Sequence, residues 1–226
     1  MSKLVVALDF PTIEEAIETA RPLVGEVAGF KVGLELITGV GPLAIEKVSA
    51  LGKPVFADVK LHDIPNTVER AASRLAAAGA TWLTVHASGG MAMMEAANRG
   101  MGGGGVLAVT VLTSFAESDL EAVGVVSGLE TQIVGLAALA QSAGLEGLVC
   151  APGDVSAIRS KGIDMTIFTP GIRMETDAHH DQRRVGTPAQ AVEAGADYLV
   201  VGRPITRAAD PVAAAREIAA SLTPTG

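Results

Sequence analysis

Cysteine is almost missing from this chain: Cys150 is the only one in 226 residues. A single thiol excludes an internal disulfide framework and agrees with a reducing compartment. It follows the apolar pair Leu148-Val149, which reads as a buried strand position rather than a nucleophile. No run of lysine and arginine stands out. The net charge is -8, from 17 basic and 25 acidic residues, so no nucleic-acid groove is expected. Small anionic metabolites stay compatible with that balance if a few basic residues converge. The first apolar stretch, Leu4 to Leu8, is too short for a signal peptide or a membrane span, and the chain reads as cytoplasmic. A G-x-G-x-x-G turn after that stretch is lacking too. Asp9-Phe10-Pro11 stands there instead, which argues against a dinucleotide-binding doubly wound sheet.

What is present is a large apolar fraction. Hydrophobic residues make up 49% of the chain and charged residues 19%, enough for one α/β barrel or two small domains. Short β-rich runs alternate with alanine-rich helical stretches along the whole length. Strands are expected at Lys3–Asp9, Phe30–Leu34, Pro54–Leu61, Trp82–His86, Val106–Leu112, Gly147–Ala151, Met165–Thr169 and Tyr198–Gly202. Helices are expected at Thr12–Leu23, Gly41–Ala50, Ile64–Ala78, Met91–Gly100, Gly128–Ala143, Val155–Lys161, Pro188–Ala194 and Pro204–Leu222. Strict alternation of this kind predicts an α/β fold, a (β/α)8 TIM barrel. With no break in composition, residues 1–226 read as a single domain. Gly102–Gly105 precedes a strand, so it reads as a helix-to-strand connection and not as a phosphate cradle.

Barrel enzymes keep their chemistry at the C-terminal ends of the strands. Every strand except the sixth delivers a polar or special residue to that rim, the second from Lys31 early in its run and the others from their ends. They are Asp9, Lys31, Asp58 with Lys60, His86, Thr113-Ser114, Pro170-Gly171-Ile172-Arg173 and Gly202-Arg203. In Asp58-Val59-Lys60-Leu61-His62-Asp63, strand alternation puts Asp58 and Lys60 on one face, and Asp63 just past the strand can reach the same spot. An anion, a cation and an anion on one face are costly unless they pair. A purely structural ion-pair cluster is one reading. Catalysis is the other, and the position at the barrel's active end favours it. Lys31 lies inside an apolar strand and is expected to pair with Asp58, completing an alternating network of two lysines and two aspartates. Gly202-Arg203-Pro204 opens the last helix where barrels recurrently bind phosphate. Pro170 to Thr187 lacks periodicity and reads as a lid whose Arg173, Gln182, Arg183 and Arg184 close over an anion. His179 and His180 are adjacent and share no face, and no third ligand is in view, so no metal site is expected there. Trp82, at a strand start, reads as packing.

With these residues placed, the sequence resembles the orotidine 5'-phosphate decarboxylase family from end to end. The resemblance rests on Ala7-Leu8-Asp9, Phe30-Lys31-Val32-Gly33, Ala57 to Thr67, Leu112-Thr113-Ser114, Thr169 to Arg173, Asp181-Gln182-Arg183-Arg184 and Val201 to Ile205, in that order. D-x-K-x-x-D alone is shared with sister sugar-phosphate barrels; the ordered set is specific. The resemblance implies conversion of orotidine 5'-phosphate to uridine 5'-monophosphate and carbon dioxide in pyrimidine synthesis, with no metal and no organic cofactor. It implies Lys60 as the acid that protonates C6 and Asp58 against the substrate carboxylate. Lys31 would bridge the network and touch the ribose, which Asp9 also binds. Asp63, Ile64 and Thr67 belong by resemblance to a site shared across a homodimer. Thr113 would lie beside the pyrimidine and Pro170 on the substrate. Gln182, Gly202 and Arg203 would hold the phosphate, with Arg173 at the root of the lid. The segment Met174 to His180 departs from the proline and glycine that family lids often carry there. Two rivals stand beside this reading. A magnesium-dependent keto-sugar-phosphate decarboxylase or hexulose-phosphate aldolase would carry a metal-binding glutamate where this chain has Lys31. A catalytically silent nucleotide-binding barrel would have no use for the charged tetrad.

Overall fold

Parallel strands covered on both faces need nearly continuous apolar sequence, and the eight short apolar runs of this chain meet that need. The computed structural model describes residues 2–173 and 184–222. Its elements run β1 (Leu4–Ala7), α1 (Ile13–Leu23), β2 (Gly29–Gly33), α2 (Leu34–Val40), α3 (Leu43–Ser49), β3 (Val55–Leu61), α4 (Pro65–Ala77), β4 (Trp82–His86), α5 (Met91–Met101) and β5 (Gly105–Val109). They continue α6 (Glu117–Ala122), α7 (Leu129–Ser142), β6 (Gly147–Val149), α8 (Val155–Ser160), β7 (Thr166–Thr169), α9 (Pro188–Glu193), β8 (Tyr198–Val201), α10 (Arg203–Thr206) and α11 (Pro211–Ala220). The strands close in sequence order into a parallel barrel, β8 returning to β1 through Val5↔Val200. This is the expected TIM barrel.

The helices cover the outside and bury a continuous layer against the outward strand residues, among them Leu4, Val32, Leu83 and Ile167. A second cluster fills the barrel itself: Val5, Phe56, Trp82, Leu107, Val149, Phe168 and Val200. Its rings centre on Phe168, which stacks on Tyr198 at 4.6 Å and meets Trp82 and Phe56 edge-on at 5.1 and 5.5 Å. Trp82 is packing, as expected, and its indole also donates to Glu146 at 2.9 Å.

Three helical expectations need correction. Leu34 is expected in the second strand, with no helix between it and Gly41; Leu34–Val40 instead forms α2, in which the Thr38 hydroxyl donates to the Leu34 carbonyl. α6 was not expected either, and its start is capped by Asp119 accepting from the Ala116 N–H at 2.7 Å. The single final helix is in fact two, α10 and α11. Pro211 disfavours helical backbone at Asp210. Asp210 instead accepts from Val212 and Ala213 and caps a new helix.

Candidate active site

The upper end of the barrel is a cleft of about 380 Å³ whose floor includes Phe56, Val109, Val149 and Val200. Onto this apolar floor β1, β2 and β3 place four charges. Lys31 Nζ lies 3.0 Å from Asp9 Oδ1 and 3.4 Å from Asp58 Oδ2, while Lys60 Nζ lies 2.8 Å from Asp58 Oδ1. The order Asp9–Lys31–Asp58–Lys60 therefore alternates in sign, as the sequence suggested. The Lys31 and Asp58 side chains are only 11% and 13% exposed, whereas Lys60 is 29% exposed and faces the cleft. Gly33 makes room for the first pair: a Cβ there would lie 2.8 Å from Asp9 Oδ1 and 2.9 Å from Lys31 Nζ.

Mutual pairing sets the charge states. Burial by itself pushes the Asp58 carboxyl up, but Lys31 and Lys60, with hydrogen bonds from Lys60 and Thr84, hold it below the ordinary range. Burial pulls the Lys31 ammonium down; Asp58 and Asp9 outweigh this and hold it above its ordinary value. Both groups stay ionised at neutral pH despite their depth.

Strand alternation predicted that Asp58 and Lys60 meet, and they do, by another route. The β3–β4 register runs Phe56↔Trp82 and Ala57↔Leu83, then shifts to Leu61↔Val85. Asp58, Val59 and Lys60 thus stand opposite Thr84 alone. Lys60 has φ 49°, the one positive φ outside glycine among the described residues. A left-handed lysine is uncommon and strained.

Of the other expected site residues, Thr113, Pro170, Arg173, Gly202 and Arg203 line the same cleft. Asp63, Ile64 and Thr67 do not; they are exposed at the rim, Ile64 by 66%. Asp63 accepts from the Ile64 N–H at 2.6 Å and, among the described residues, joins no ion pair with Lys60. The expectation that it reaches the same spot is not met within its own chain, because β3 ends and the chain turns outward before it. Gln182, Arg183, His179 and His180 lie outside the described residues. Arg184 corrects a second expectation. It is not aimed at an anion in the cleft. Its guanidinium holds both Asp154 oxygens at 2.6 and 2.7 Å and the carbonyls of Val111 and Leu112. It ties the segment after β5 to the turn after β6.

Glu35 and Arg207 also line the cleft and were not expected there. Glu35 belongs to the unexpected helix α2, and Arg207 directly follows the short α10. Thr84 was missed for another reason: it is mid-strand, fully buried, and its role depends on the register shift. Cys150 lines the cleft but is 1% exposed, and burial pushes its thiol up, away from the nucleophilic thiolate. His86 is half-buried near His62, with ring centroids 5.7 Å apart. Burial, His62 and Lys60 lower its pKa and favour the neutral ring. Among the described residues, no group of three or more His, Cys, Asp or Glu side chains is arranged to hold a metal ion, and no helix is long and apolar enough to cross a membrane.

Comparison with known proteins agrees with this geometry. The orotidine 5'-phosphate decarboxylase of Anaeromyxobacter sp. (strain K) is 53% identical over 222 residues, covering 97% of this chain and 98% of that protein. The crystal structure of orotidine 5'-phosphate decarboxylase from Lactobacillus acidophilus superposes with a TM-score of 0.85 at 35% identity, covering 99% of this chain and 100% of that one. The structure of the enzyme of that name from Pyrococcus horikoshii OT3 superposes with a TM-score of 0.80 at 29% identity, covering 97% and 98%. A family model matches residues 2–218, and the chain belongs to the orotidine 5'-phosphate decarboxylase / HUMPS family.

Proposed function

We propose that this chain decarboxylates orotidine 5'-phosphate to uridine 5'-monophosphate in pyrimidine synthesis, with Lys60 as the acid. The observation that carries the reading is the charge-alternating Asp9–Lys31–Asp58–Lys60 row along the cleft, its central Lys31–Asp58 pair shielded from solvent and its two ends open. When the bond from C6 to the carboxylate breaks, the electron pair stays on C6 and carbon dioxide departs. No adjacent carbonyl spreads that charge. An ammonium fixed by Asp58 stabilises it and then gives C6 a proton; solvent restores the proton to the amine. Preorganisation matters because the charges are already in place before the carbanion forms. In this reading Lys31 and Asp9 bind the ribose, and Thr113 and Pro170 lie along the base. Gly202, Arg203 and Gln182 take the phosphate with Arg173 beside them. Phosphate contacts remote from C6 supply binding energy for the chemical step.

The magnesium-dependent sister activities are the second reading, since Asp58, Lys60 and Asp63 form the D-x-K-x-x-D pattern shared with those barrels. Lys31 speaks against them: its ammonium occupies the space between Asp9 and Asp58 where a divalent cation would need their charge. The test is loss of orotidine 5'-phosphate followed with and without chelator. Turnover that survives chelator and disappears in Lys60→Ala supports the proposal; no turnover, or turnover that chelator abolishes, overturns it.

The exposure of Asp63, Ile64 and Thr67 supports a homodimer in which this rim completes the partner's site. Lys60→Ala and Asp63→Ala chains, mixed under verified subunit exchange, should then recover about a quarter of wild-type activity. One site of each mixed dimer is native, and half the dimers are mixed. Activity that stays at the level of the separate variants sinks the shared site. The single buried thiol and the absence of a basic surface run favour a cytoplasmic enzyme with no nucleic-acid or membrane partner.

A further inference from the structure

We infer that Thr84 is a positioning residue for the proton transfer, its hydroxyl locking the backbone of Lys60 to the carboxylate oxygen that holds the Lys60 ammonium. Thr84 sits in the middle of β4 and is 0% exposed. Its Oγ1 accepts from the Lys60 N–H at 2.9 Å and stands 3.1 Å from Asp58 Oδ1, with the Ala57 carbonyl farther away at 3.5 Å. A hydroxyl has one proton to give. The nearer and charged acceptor, Asp58, is the stronger claimant. The same Oδ1 accepts from Lys60 Nζ at 2.8 Å. Thr84 therefore closes a ring: from the Lys60 backbone to the Thr84 hydroxyl, to Asp58 Oδ1, and back to Lys60 through its own side chain.

This ring answers a problem that the register shift creates. Three residues of β3 stand opposite one residue of β4, so the Lys60 N–H loses its place in the backbone ladder. A buried N–H without a partner is costly. Lys60 also carries a left-handed backbone that is strained on its own. The Thr84 hydroxyl satisfies that N–H and so stabilises the strained turn that aims the lysine. Threonine suits the task because its branched Cβ leaves χ1 little freedom. Relaxation of the turn toward ordinary strand backbone would swing the ammonium away from where C6 must lie.

The inference rests on the proposed decarboxylation, and its test separates the two. Thr84→Val keeps shape and removes the hydroxyl; Thr84→Ser and Thr84→Ala share a smaller volume and differ only in the hydroxyl. With wild type turning over substrate, kcat should fall about 10–100-fold in Thr84→Val and Thr84→Ala, with KM within about threefold. Thr84→Ser should stay within about fivefold of wild-type kcat. An inactive wild type would sink the decarboxylase reading itself. An active wild type matched in kcat by Thr84→Val or Thr84→Ala, or equal losses in Ser and Ala, would overturn the role of Thr84. A second measurement needs no variant. The Lys60 amide of the wild-type protein should exchange hydrogen as slowly as the ladder amides of β4. Exchange at the rate of an exposed loop amide would overturn the inference even if the Val and Ala variants failed to fold.

Discussion

The barrel interior is built from opposite materials at its two ends. Phe56, Trp82, Phe168 and Tyr198 fill the lower part with stacked and edge-on rings. Asp9, Lys31, Asp58 and Lys60 occupy the upper part with paired charges. Burying large rings removes apolar surface from water, and the stacked and edge-on pairs add to that gain, so the lower end stabilises the fold. Buried charges lose their hydration, and even good pairs return little net stability. The upper end adds a left-handed lysine and an interrupted ladder. One barrel thus separates apolar packing from the proposed chemistry along its axis, and the two ends should respond differently to damage.

The largest effect is expected at the top. Lys60→Ala should raise the barrier by at least about 4 kcal/mol, several orders of magnitude in kcat, while product affinity changes far less. Its denaturant midpoint should stay close to wild type. Turnover within tenfold of wild type would remove Lys60 from the mechanism. The mirror experiment is Phe168→Ala, which should cost about 3–5 kcal/mol of stability by urea unfolding. Activity per folded molecule should change only a few-fold; a loss like that of Lys60→Ala would mean the two ends are not separable.

Gly33→Ala tests the seam between them. Its Cβ would press on both Asp9 Oδ1 and Lys31 Nζ, so one or both of these side-chain ends must shift from their present places. The expected outcome is a kcat/KM loss of about 10–100-fold with a stability cost of about 1–3 kcal/mol. Unchanged kinetics would show that the Asp9–Lys31 contact is dispensable. The smallest effect concerns the upper end of β4. His86 has a lowered native pKa, so the unfolded chain takes up the proton first as pH falls. Its contribution is complete above the ordinary histidine value of about 6.5 and is lost as pH drops from there toward the native pKa. Unfolding free energies at about pH 7.5 and 5.5 should differ less in His86→Gln than in wild type. An equal pH slope in both would assign the dependence to other groups.

Much of this molecule was legible one strand at a time. The eight apolar runs identified the strands because a parallel barrel buries both faces of each one, and that demand leaves a pattern in local composition. Asp58, Lys60 and Lys31 stood out because charges inside apolar runs are costly and need a reason. The helices were less legible where tertiary contacts override propensity. α2 forms from a segment of modest helix preference, and the break before Pro211 lies inside a long alanine-rich stretch whose composition suits one continuous helix. Arg184 looked like an anion ligand, since an arginine's type says nothing about which carboxylate it will find. Asp154 lies thirty residues away in sequence, and only folding brings the two within 2.6 Å.

The sequence by itself determined the strand order, the residue types at the upper rim and the family. The strands and rim residues depend on composition and periodicity, which are properties of short segments; the family resemblance rests instead on a set of motifs and their order along the whole chain. Tertiary structure alone decided how Asp58 and Lys60 meet. Simple alternation would have paired them on a regular strand, but three residues of β3 face one of β4, and Lys60 turns left-handed with Thr84 as its support. It also decided that Asp63 leaves its own cleft, because the chain turns outward once β3 ends at Leu61. Register, strain and the choice of partner are set by what lies across the ladder, and no segment carries that information alone.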